Sequence, residues 1–380
     1  MKFIVNSQIF NKQLQAMSGV LANNNTVPII NCFHFQIEEN ILTVRATDLE
    51  TTLVTKIELE SGRSEGLDQV AVPSKLLLDI LKNLDDVPMT FTLNPNNYAI
   101  EIASGDGKYS LAGQNADSFP IVPVIEDSAK AIIPASVLVN CISKTSFACS
   151  NDEMRQQMSG IFMKFSTENL TVVATDAHKL VRYRNSEVQA DQDVEFILPR
   201  KPITLIKNII ASYKDDFPVT VEYNKTNVSF SFDNFFAVCR LVEGKYPNIE
   251  AAIPKENPNK LIVDRISFLN TLRRVSIFAN KSTHQVRLAM DGAVLEVSAE
   301  DIEFSNVAHE KIGCEYQGTP MEIGFNARFL MEMVNNMETE RIIIEMSQPT
   351  RAGIIFPYYE EENESKEDIL MLVMPVMLAN

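Results

Sequence analysis

The sequence predicts an α+β protein built from three tandem repeats of one domain, each with two helices on one face of an antiparallel sheet. The first observation is an order of helix, paired strands, helix and further strands that recurs three times along 380 residues. The second is a polar turn headed by alanine in each repeat, at Ala46, Ala174 and Ala299. A period of this length indicates whole domains rather than a solenoid of short repeats.

Domain boundaries follow from the prolines that close the repeats, Pro120, Pro247 and Pro375. The predicted domains are 1–124, 125–253 and 254–380. Each is near the commonest size for a domain with its own core. Three similar domains in one chain predict quasi-symmetry, and therefore a ring-forming or arc-like protein.

Six segments predict helices because apolar side chains recur every three or four residues. They are 7–22, 74–84, 134–150, 200–214, 265–281 and 326–337. In the fourth of these, Ile203, Ile206 and Ile210 form the apolar face, and we expect Lys207 and Lys214 to share the opposite face. Between the helices, alternating runs with Asn, Gly or Asp at their turns predict antiparallel meanders.

Charge separates the predicted helices from the rest of the chain. The whole chain carries −16 at pH 7, whereas the six predicted helices together carry +11. Because a polyanion responds to the local field, this distribution predicts a basic face that can bind nucleic acid. Exposed helix faces also carry Lys and Arg for solvation alone, and that interpretation stays open.

Composition limits the protein class. Hydrophobic residues make up 45% and charged residues 22% of the chain, as in ordinary soluble proteins. No stretch approaches the roughly 20 apolar residues that span a bilayer, which predicts a cytoplasmic protein without a membrane segment. Five scattered cysteines, none in a CxxC pair, predict reduced thiols rather than disulfides. The run from Glu360 to Asp368 is predicted to be a solvated acidic loop.

Asp176 and His178 could form a metal pair or a general acid–base couple. The same turn recurs as ATDLE in the first repeat and SAED in the third, and neither copy contains histidine. No phosphate-binding glycine loop or HExxH motif is present. We therefore predict that Thr and Asp cap these turns, with no catalytic residue, metal or cofactor. An enzyme acting on an anionic substrate remains the alternative, in which alanine at both positions would abolish turnover.

Several motifs in order give the chain its resemblance to a known family. The most specific are VATDAHKL (173–180), LPRK (198–201), MEIGFN (321–326) and VMP (373–375), with ATDLE and VPSK in the first repeat. Together they resemble the bacterial DNA polymerase III beta subunit, the replicative sliding clamp, from the opening MKF to the terminal MPVMLAN. The similarity implies the DNA clamp fold and a non-catalytic head-to-tail homodimer that encircles double-stranded DNA.

The resemblance also implies partners and a site for them. The implied partners are the DNA polymerase III catalytic subunit, the clamp loader, and other replication and repair proteins that present linear peptide motifs. The implied peptide groove consists of Met158, Thr175, Ala177, His178, Lys179, Leu180, Pro247, Ala251, Ala252, Leu372, Val373, Met374, Pro375, Val376 and Met377. Methionines suit such a groove because they repack around different ligands. Ala251 stands where the family often has a basic residue.

Two further residue sets follow from the resemblance by position. The DNA-facing set is Lys82, Arg155, Arg200, Lys201, Lys207, Lys214, Arg273, Arg274 and Lys281. Because a ring must slide, we expect weak contacts to phosphates that ignore sequence. Asn24 departs from the basic residue that the family often has in its loop. The dimer-interface set is Lys108, Tyr109, Leu111, Ile277, Phe278 and Glu310, with Glu310 as the expected charge partner of Lys108.

Three alternatives remain open from the residues alone. Met374 and Met377 could be core residues of a strand, because alternate strand positions point inward. Tyr109 and Phe278 could pack inside one domain. The chain could also be a peptide-binding scaffold that never contacts DNA, and comparison of circular with linear DNA separates that function from a ring.

Overall fold

The computed structural model describes residues 1–21, 26–64, 67–360 and 365–378. Asn24 and the centre of the predicted acidic loop lie outside these residues. The helices in the described chain are α1 (Ser7–Met17), α2 (Ser74–Lys82), α3 (Ala135–Thr145), α4 (Gln156–Ser159), α5 (Arg200–Ile210), α6 (Arg265–Val275) and α7 (Ala327–Asn335).

The strands of the same residues are, in chain order, β1 (Lys2–Asn6), β2 (Cys32–Glu38), β3 (Ile41–Thr47), β4 (Thr51–Glu58), β5 (Ser61–Arg63), β6 (Gln69–Pro73), β7 (Pro88–Leu93), β8 (Ala99–Ser104), β9 (Gly107–Ala112), β10 (Ala129–Pro134), β11 (Gly160–Phe165), β12 (Leu170–Thr175), β13 (Lys179–Asn185), β14 (Val194–Pro199), β15 (Pro218–Tyr223), β16 (Asn227–Phe232), β17 (Phe235–Arg240), β18 (Asn259–Asp264), β19 (Gln285–Asp291), β20 (Val294–Asp301), β21 (Asn306–Gly313), β22 (Glu315–Gln317), β23 (Met321–Asn326), β24 (Arg341–Met346), β25 (Gly353–Tyr358) and β26 (Glu367–Val373). Every pairing among these strands is antiparallel, as the meander pattern predicted.

Every predicted helix is present, but most end early. Single 3-10 turns follow α1, α3 and α6, at Ser18–Val20, Ser146–Ala148 and Ser276–Phe278. After α5, the amides of Ser212 and Tyr213 donate to carbonyls three residues back, which tightens the chain and ends the helix. Lys214 and Lys281 therefore lie beyond the helices, and the prediction that Lys207 and Lys214 share a helix face is wrong.

The chain forms two compact units, residues 1–139 with 201–241, and residues 140–200 with 242–380. The first unit holds a five-stranded sheet, ordered β5-β1-β7-β8-β9, and an eight-stranded sheet, ordered β10-β15-β16-β17-β4-β3-β2-β6. The second unit holds a nine-stranded sheet, ordered β14-β11-β12-β13-β26-β25-β24-β18-β22, and a four-stranded sheet, ordered β21-β20-β19-β23. The domain boundaries at 124/125 and 253/254 stay predictions.

Strand pairing joins neighbouring repeats at two seams. In the first unit β4 pairs with β17, placing Thr52 opposite Val238. In the second unit β13 pairs with β26, placing Leu180 opposite Leu372. Each seam starts directly after the polar turn of one repeat, so the repeated turns lie where two repeats meet within one sheet.

The predicted apolar helix faces form the core. Phe10, Leu14 and Met17 of α1 are fully buried, and Phe10 lies edge-on to Phe91 of β7 with ring centroids 5.4 Å apart. In the third repeat, Phe268 of α6 is likewise fully buried. Aromatic pairs of this geometry contribute about 0.5–1.5 kcal/mol beyond the area they bury. The helices therefore pack on the sheets through the sides that their periodicity predicted.

The structure shows the state of the cysteine thiols and the lengths of the helices. None of the five cysteines is in a disulfide, and four of them are buried. Burial raises the pKa of Cys149 and of Cys239 to about 12, so both remain protonated at neutral pH. Within the described ranges, no helix is long and apolar enough to cross a membrane.

The predicted acidic loop is held by ion pairs at its end. Glu367 accepts hydrogen bonds from the Tyr183 hydroxyl (2.7 Å) and from Lys144 Nζ (3.1 Å). Asp368 pairs with Arg182 at 3.1 Å. Both acids start β26, so the prediction of a purely solvated loop is wrong at this end, because a charge run in sequence does not reveal its cationic partners.

His34 should make the first unit sensitive to acid. It is buried beside Phe119, with 5.0 Å between ring centroids, and its Nδ1 has no hydrogen-bond partner among the described residues. Burial is the main cause that lowers the pKa of His34 below 6.5. Between that lowered pKa and 6.5 the unfolded chain binds more protons, so stability rises with pH through this window. We expect the urea midpoint to fall between pH 7 and pH 5.5, and to fall less in His34→Phe; equal losses in both proteins would contradict the assignment.

Candidate functional site

The turn at Thr175–Leu180 is built by its own polar side chains. The Thr175 hydroxyl donates to the carbonyl of Lys179 (2.7 Å) and accepts from the amide of Ala177 (3.1 Å). Asp176 Oδ1 accepts from the amides of His178 and Lys179, at 2.9 and 2.8 Å. Ala177 has φ 75°, a left-handed conformation that only the surrounding turn makes tolerable.

The first repeat contains the same turn, bond for bond. The Thr47 hydroxyl donates to the carbonyl of Thr51 (2.9 Å) and accepts from the amide of Leu49, and Asp48 Oδ1 accepts from the amide of Thr51 (2.7 Å). Leu49 has φ 78°. The Thr and Asp residues therefore cap turns, as predicted, and the Asp176 carboxylate is engaged in that role rather than paired with the His178 ring. No cluster of three or more metal-ligating side chains occurs in the described chain.

An apolar cluster lies beside the turn on the nine-stranded sheet. Its buried members come from five strands, from the residue directly before β25 and from the loop after β17: Val173, Leu180, Ile197, Tyr246, Ala352, Ile354, Leu370 and Leu372. Partly buried Val242, Ile249 and Ile253 of the same loop pack against it, as do Phe162 and Phe356. At its edge the amide of Met374 donates to the carbonyl of His178 at 2.8 Å. The loop, the turn and the end of β26 therefore border one apolar cluster, and we call the peptide site predicted beside it the seam groove.

The predicted groove residues differ in exposure. Met374 is 42% exposed and Met377 70% exposed, so the alternative that both are core residues is wrong. His178, Ala177, Pro247, Ala251 and Ala252 are also exposed, whereas Met158, Pro375 and Val376 are half-buried. Thr175, Leu180 and Leu372 are buried. The exposed residues form a rim, and the buried leucines form the floor beneath it.

Lys179 and Val373 are the two predicted groove residues that belong elsewhere. They pair with each other across the seam, one position from Leu180 and Leu372, so strand alternation puts them on the opposite face of the sheet. The Lys179 ammonium is buried between Asp176, at 3.7 Å, and Glu332. Placing either side chain in the groove wall is therefore wrong.

Lys179 instead packs against residues on the face of the sheet opposite to the leucines. Its Nζ lies 4.8 Å from the centre of the Phe329 ring, and the His178 ring stacks on the same phenylalanine with centroids 6.3 Å apart. A cation over an aromatic face contributes on the order of 1–2 kcal/mol when it is desolvated. The exposed imidazole of His178 is thus held in place by contacts that the sequence did not indicate.

The end of the chain extends the four-stranded sheet. Pro375 lies opposite Phe325, and the amide of Val376 donates to the carbonyl of Gly324 at 2.8 Å. A Cβ on Gly324 would lie 2.5 Å from the Val376 carbonyl oxygen, so only glycine permits this approach. Leu378 then lines a cleft of about 510 Å³ together with Ile302 and Val307. Val376 therefore helps to anchor the tail in addition to bordering the groove.

Sequence reasoning missed part of the groove floor. Ala352 and Ile354 lie just before and on β25, and Tyr246 lies on the covering loop. Tyr246 stacks on Phe162 with centroids 5.1 Å apart, and burial raises the pKa of its hydroxyl. Ile354 lies opposite Leu372 because β25 pairs with β26, and the run GIIFPY carries no alternation that would have indicated this.

The segment around Ala251 is fixed by charge. Glu250 Oε1 lies 3.1 Å from Arg184 and 3.5 Å from Arg182, both on β13. The next residue, Ala251, is exposed. This part of the loop is therefore held to the sheet by ion pairs, and the exposed side chains that follow, Ala251 and Ala252, are small and apolar.

The predicted DNA-facing cations fall into two groups. Five have partners in the described chain: Arg155 with Asp152 (3.5 Å), Lys201 with Asp48 (3.1 Å), Arg274 with Glu310 (2.6 Å), Arg200 with Asn151 (3.0 Å) and Arg273 with Asn270 (3.3 Å). The other four, Lys82, Lys207, Lys214 and Lys281, form no ion pair with any described residue.

The predicted dimer residues lie at two sheet edges. β9 is the last strand of the five-stranded sheet, and β21 is the last strand of the four-stranded sheet. Tyr109 on β9 is partly exposed, and Ile277 and Phe278, directly after α6, are 77% and 40% exposed. Packing of Tyr109 and Phe278 wholly inside one domain is therefore wrong.

Two residues of the predicted dimer set are engaged within their own unit, and three other exposed apolar residues lie on or next to β21. Leu111 is buried in the core of its own unit, because alternation along β9 turns it inward, so only its backbone is available at the edge. Glu310 is held by Arg274 through two hydrogen bonds, which lower its pKa, so Lys108 would have to share it. The exposed apolar residues Ile302, Phe304 and Val307 border β21, and nothing in their sequence spacing distinguished them from core residues.

Comparisons with known proteins agree along the whole chain. Models of the N-terminal, central and C-terminal domains of the DNA polymerase III beta subunit match residues 1–123, 132–248 and 250–376. The beta sliding clamps of Haemophilus influenzae and Vibrio cholerae are 28% and 25% identical over 382 and 379 residues, covering all of both chains.

Solved structures match equally well. A sliding clamp from Pseudomonas aeruginosa bound to griselimycin has a TM-score of 0.92 at 26% identity, with complete coverage of both chains. The sliding clamp of Bacillus subtilis has a TM-score of 0.91 at 23% identity, again with complete coverage, and supports the fold alone. The α+β fold of three clamp domains that the sequence predicted is thereby confirmed.

Proposed function

The chain belongs to the DNA polymerase III beta subunit family, the beta sliding clamps, and from this premise we propose how its residues act as the non-catalytic processivity factor of DNA polymerase III. Two copies close head to tail around double-stranded DNA in the cytoplasm, and the seam groove tethers the polymerase. The observation that carries this proposal is the full-length match in both sequence and fold.

Four unpaired lysines support the DNA contact. Lys207 lies on α5 and Lys82 ends α2, while Lys214 and Lys281 follow helices. Flexible ammonium groups hold phosphates as point charges without reading bases. A ring that encircles DNA keeps it by topology, so its contacts need only be weak. The paired arginines contribute less, because each must first give up an internal partner.

Ring closure uses the two edge strands. β9 and β21 each offer unpaired backbone groups on one side, and a strand edge of this kind is a template for pairing with another chain. Because the two edges differ, their contact is heterologous, and two copies close only as a head-to-tail ring. Ile277, Phe278 and Phe304 provide the apolar surface beside one edge, and Tyr109 lies on the other.

The seam groove suits extended peptides. Its rim carries Met374 and His178, whose positions are fixed by the 2.8 Å hydrogen bond between them, and its floor is aliphatic. We propose that the polymerase III catalytic subunit, the clamp loader and other replication and repair proteins each insert a Leu/Phe pair there. Two such side chains contribute roughly 3–6 kcal/mol before ordering costs, so isolated peptides should bind at micromolar level or weaker.

Retention on DNA tests encirclement directly. Loaded onto nicked circular DNA, the closed ring should stay bound, and it should be lost within minutes when the circle is cut to a linear form. A scaffold that does not encircle DNA, the second candidate, would show the same low retention on both. Gel filtration of loaded complexes before and after cutting gives the measurement.

Charge reversal tests the four lysines. We expect Lys82, Lys207, Lys214 and Lys281, all changed to Glu, to reduce loading at least tenfold, because each lost phosphate contact removes counterion release. The matched control changes four exposed lysines away from the helices, Lys56, Lys130, Lys225 and Lys255, to Glu. Equal loading by both variants would mean that total charge matters and the helices do not face DNA.

A further inference from the structure

We propose that helix α7 sets the peptide affinity of the seam groove, with Phe329 and Glu332 as positioning residues for His178 on the rim. The inference rests on the proposed function, in which the seam groove is the peptide site. Neither α7 residue belongs to the apolar cluster beside the groove. Both contact Lys179, which strand alternation places on the face of the sheet opposite to Leu180.

Two contacts connect α7 to the polar turn of the second repeat. The Phe329 ring stacks on the exposed His178 ring, with centroids 6.3 Å apart. The Glu332 carboxylate pairs with the buried Lys179 ammonium, which also lies 3.7 Å from the Asp176 carboxylate. Asp176 in turn accepts from the amides of His178 and Lys179. α7 therefore supports both the side chain of His178 and the aspartate that fixes its backbone.

The first repeat forms the same turn without a ring or a carboxylate from the corresponding helix. Thr51 stands there at the position of Lys179, and the turn's own hydrogen bonds are the same. α5 corresponds to α7, because each directly follows a six-residue strand of its repeat. The third and sixth residues of α5 are Pro202 and Leu205, where α7 has its ring and its carboxylate. The backbone of the turn therefore does not require the α7 contacts.

The cations beside the two turn aspartates also differ. Asp48 pairs at 3.1 Å with Lys201, whose side chain is 63% exposed. The Lys179 side chain is only 6% exposed, and its ammonium lies 5.9 Å from the ring centre of Phe147 and 4.8 Å from that of Phe329. A buried ammonium of this kind fixes its partners in one arrangement, because an unpaired charge is costly away from water. The second turn is thus more tightly held than the hydrogen bonds of the turn alone require.

His178 is the feature of the second turn that this support serves. The first turn has Glu50 at that position, and the described contacts of Glu50 include no aromatic ring. A rim side chain that is already held loses less conformational entropy when a peptide packs on it, which raises affinity. The His178 carbonyl also accepts from the amide of Met374 at 2.8 Å. A shift of the turn would therefore displace the opposite side of the rim as well.

The test measures binding of a fluorescein-labelled Leu/Phe peptide from the polymerase III catalytic subunit to the full chain by anisotropy. We expect Phe329→Leu and Glu332→Gln each to weaken the peptide about fivefold, although neither removes a group of the groove. The matched control is Glu340→Gln, which removes the same charge from an exposed residue of the same unit after α7. It should leave the affinity within twofold of wild type.

A double-mutant cycle separates positioning from general loss of stability. Phe329→Leu should have no further effect in a His178→Ala chain, because its influence on the peptide passes through that ring. Glu332→Gln should likewise add nothing to Lys179→Met. The His178 ring protons, identified in the NMR spectrum by their absence from His178→Ala, should shift in Phe329→Leu before any peptide is added, because the stacked aromatic ring is gone.

Three results would overturn the inference. Unchanged peptide affinity in both α7 variants, while Met374→Lys weakens binding, would show that the groove works without support from α7. Equal losses in Glu332→Gln and Glu340→Gln would reduce the effect to net charge. A full loss from Phe329→Leu that persists in His178→Ala would mean that the helix acts through overall stability. Failure of the proposed function is distinct, since Met374→Lys would then bind the peptide as tightly as wild type.

Discussion

Replacing Ile277 by lysine and Phe278 by alanine is expected to convert the proposed dimer into monomers of 42.7 kDa. Both side chains are exposed in the single chain beside the edge strand β21, so their apolar area is available only to a partner. Losing two such side chains costs roughly 3–6 kcal/mol, and burying an unpaired ammonium costs more. Because each 1.4 kcal/mol is a factor of ten, the dimer dissociation constant should rise by two to four orders of magnitude.

Sedimentation velocity at several protein concentrations measures that change. The matched control is Ile9→Lys, because Ile9 is also exposed, at 59%, but lies on α1, outside the predicted dimer set. The control should remain a dimer at every concentration at which the wild type does. A full dimer in the double variant would contradict the head-to-tail assignment and leave the exposed residues around β21 without a partner.

The sequence predicted the repeat, the helix faces and the turns because these depend on local periodicity and local hydrogen bonds. Phe10, Leu14 and Met17 recur at helical spacing, and all three are buried. The Thr175 and Asp176 side chains bond to amides within three residues of themselves. The helix ends were placed too late because amphipathic spacing continues through a 3-10 turn and does not reveal the tighter hydrogen bonding there.

The errors at the sites arise from contacts between distant residues. Lys179 was placed in the groove wall by its position in the chain, but its partners Glu332 and Phe329 lie some 150 residues away in sequence. Glu310 was assigned to a second copy, and Arg274 of the same unit occupies it instead. Neither partner leaves a signal in a single sequence, because ion pairs follow no spacing rule once the chain is folded.

Strand alternation could have corrected some of these assignments. Lys179 and Leu180 are neighbours on β13, and Leu372 and Val373 are neighbours on β26, so each pair must point to opposite faces. Only one member of each pair can line a groove on a given face. Under that rule Leu180 and Leu372 stay in the predicted groove set as floor residues, whereas Lys179 and Val373 are excluded from it.

The contacts of the last described residues make a deletion an ambiguous test of the groove. Removing Met374–Asn380 should abolish peptide binding, but the same deletion removes the Val376–Gly324 hydrogen bond and Leu378, which lines a cleft with Ile302 and Val307. Those two residues lie beside the proposed dimer edge. A deletion therefore tests the groove and the ring together, and a single substitution on the rim is the sharper experiment.

Met374→Lys is expected to weaken binding of a polymerase-derived Leu/Phe peptide at least tenfold while leaving the dimer intact. Met374 is 42% exposed, so lysine is tolerated in the free chain, but a bound peptide would cover it and desolvate the ammonium. Calorimetric or anisotropy titration of the peptide gives the affinity, and sedimentation gives the mass. His178→Ala, at the other end of the 2.8 Å hydrogen bond, should weaken the same peptide through loss of rim contact.

The control for this substitution is Met154→Lys, an exposed methionine of the same unit outside the groove set. It makes the same chemical change and should leave the peptide affinity within twofold of wild type. DNA synthesis with the loaded ring should be less processive for Met374→Lys than for Met154→Lys. Tethering of the polymerase depends on the groove, whereas encirclement of DNA does not. Normal processivity by Met374→Lys at low polymerase concentration would show that the polymerase binds elsewhere on the ring. The reason is that a groove with this substitution should not retain a weakly bound peptide.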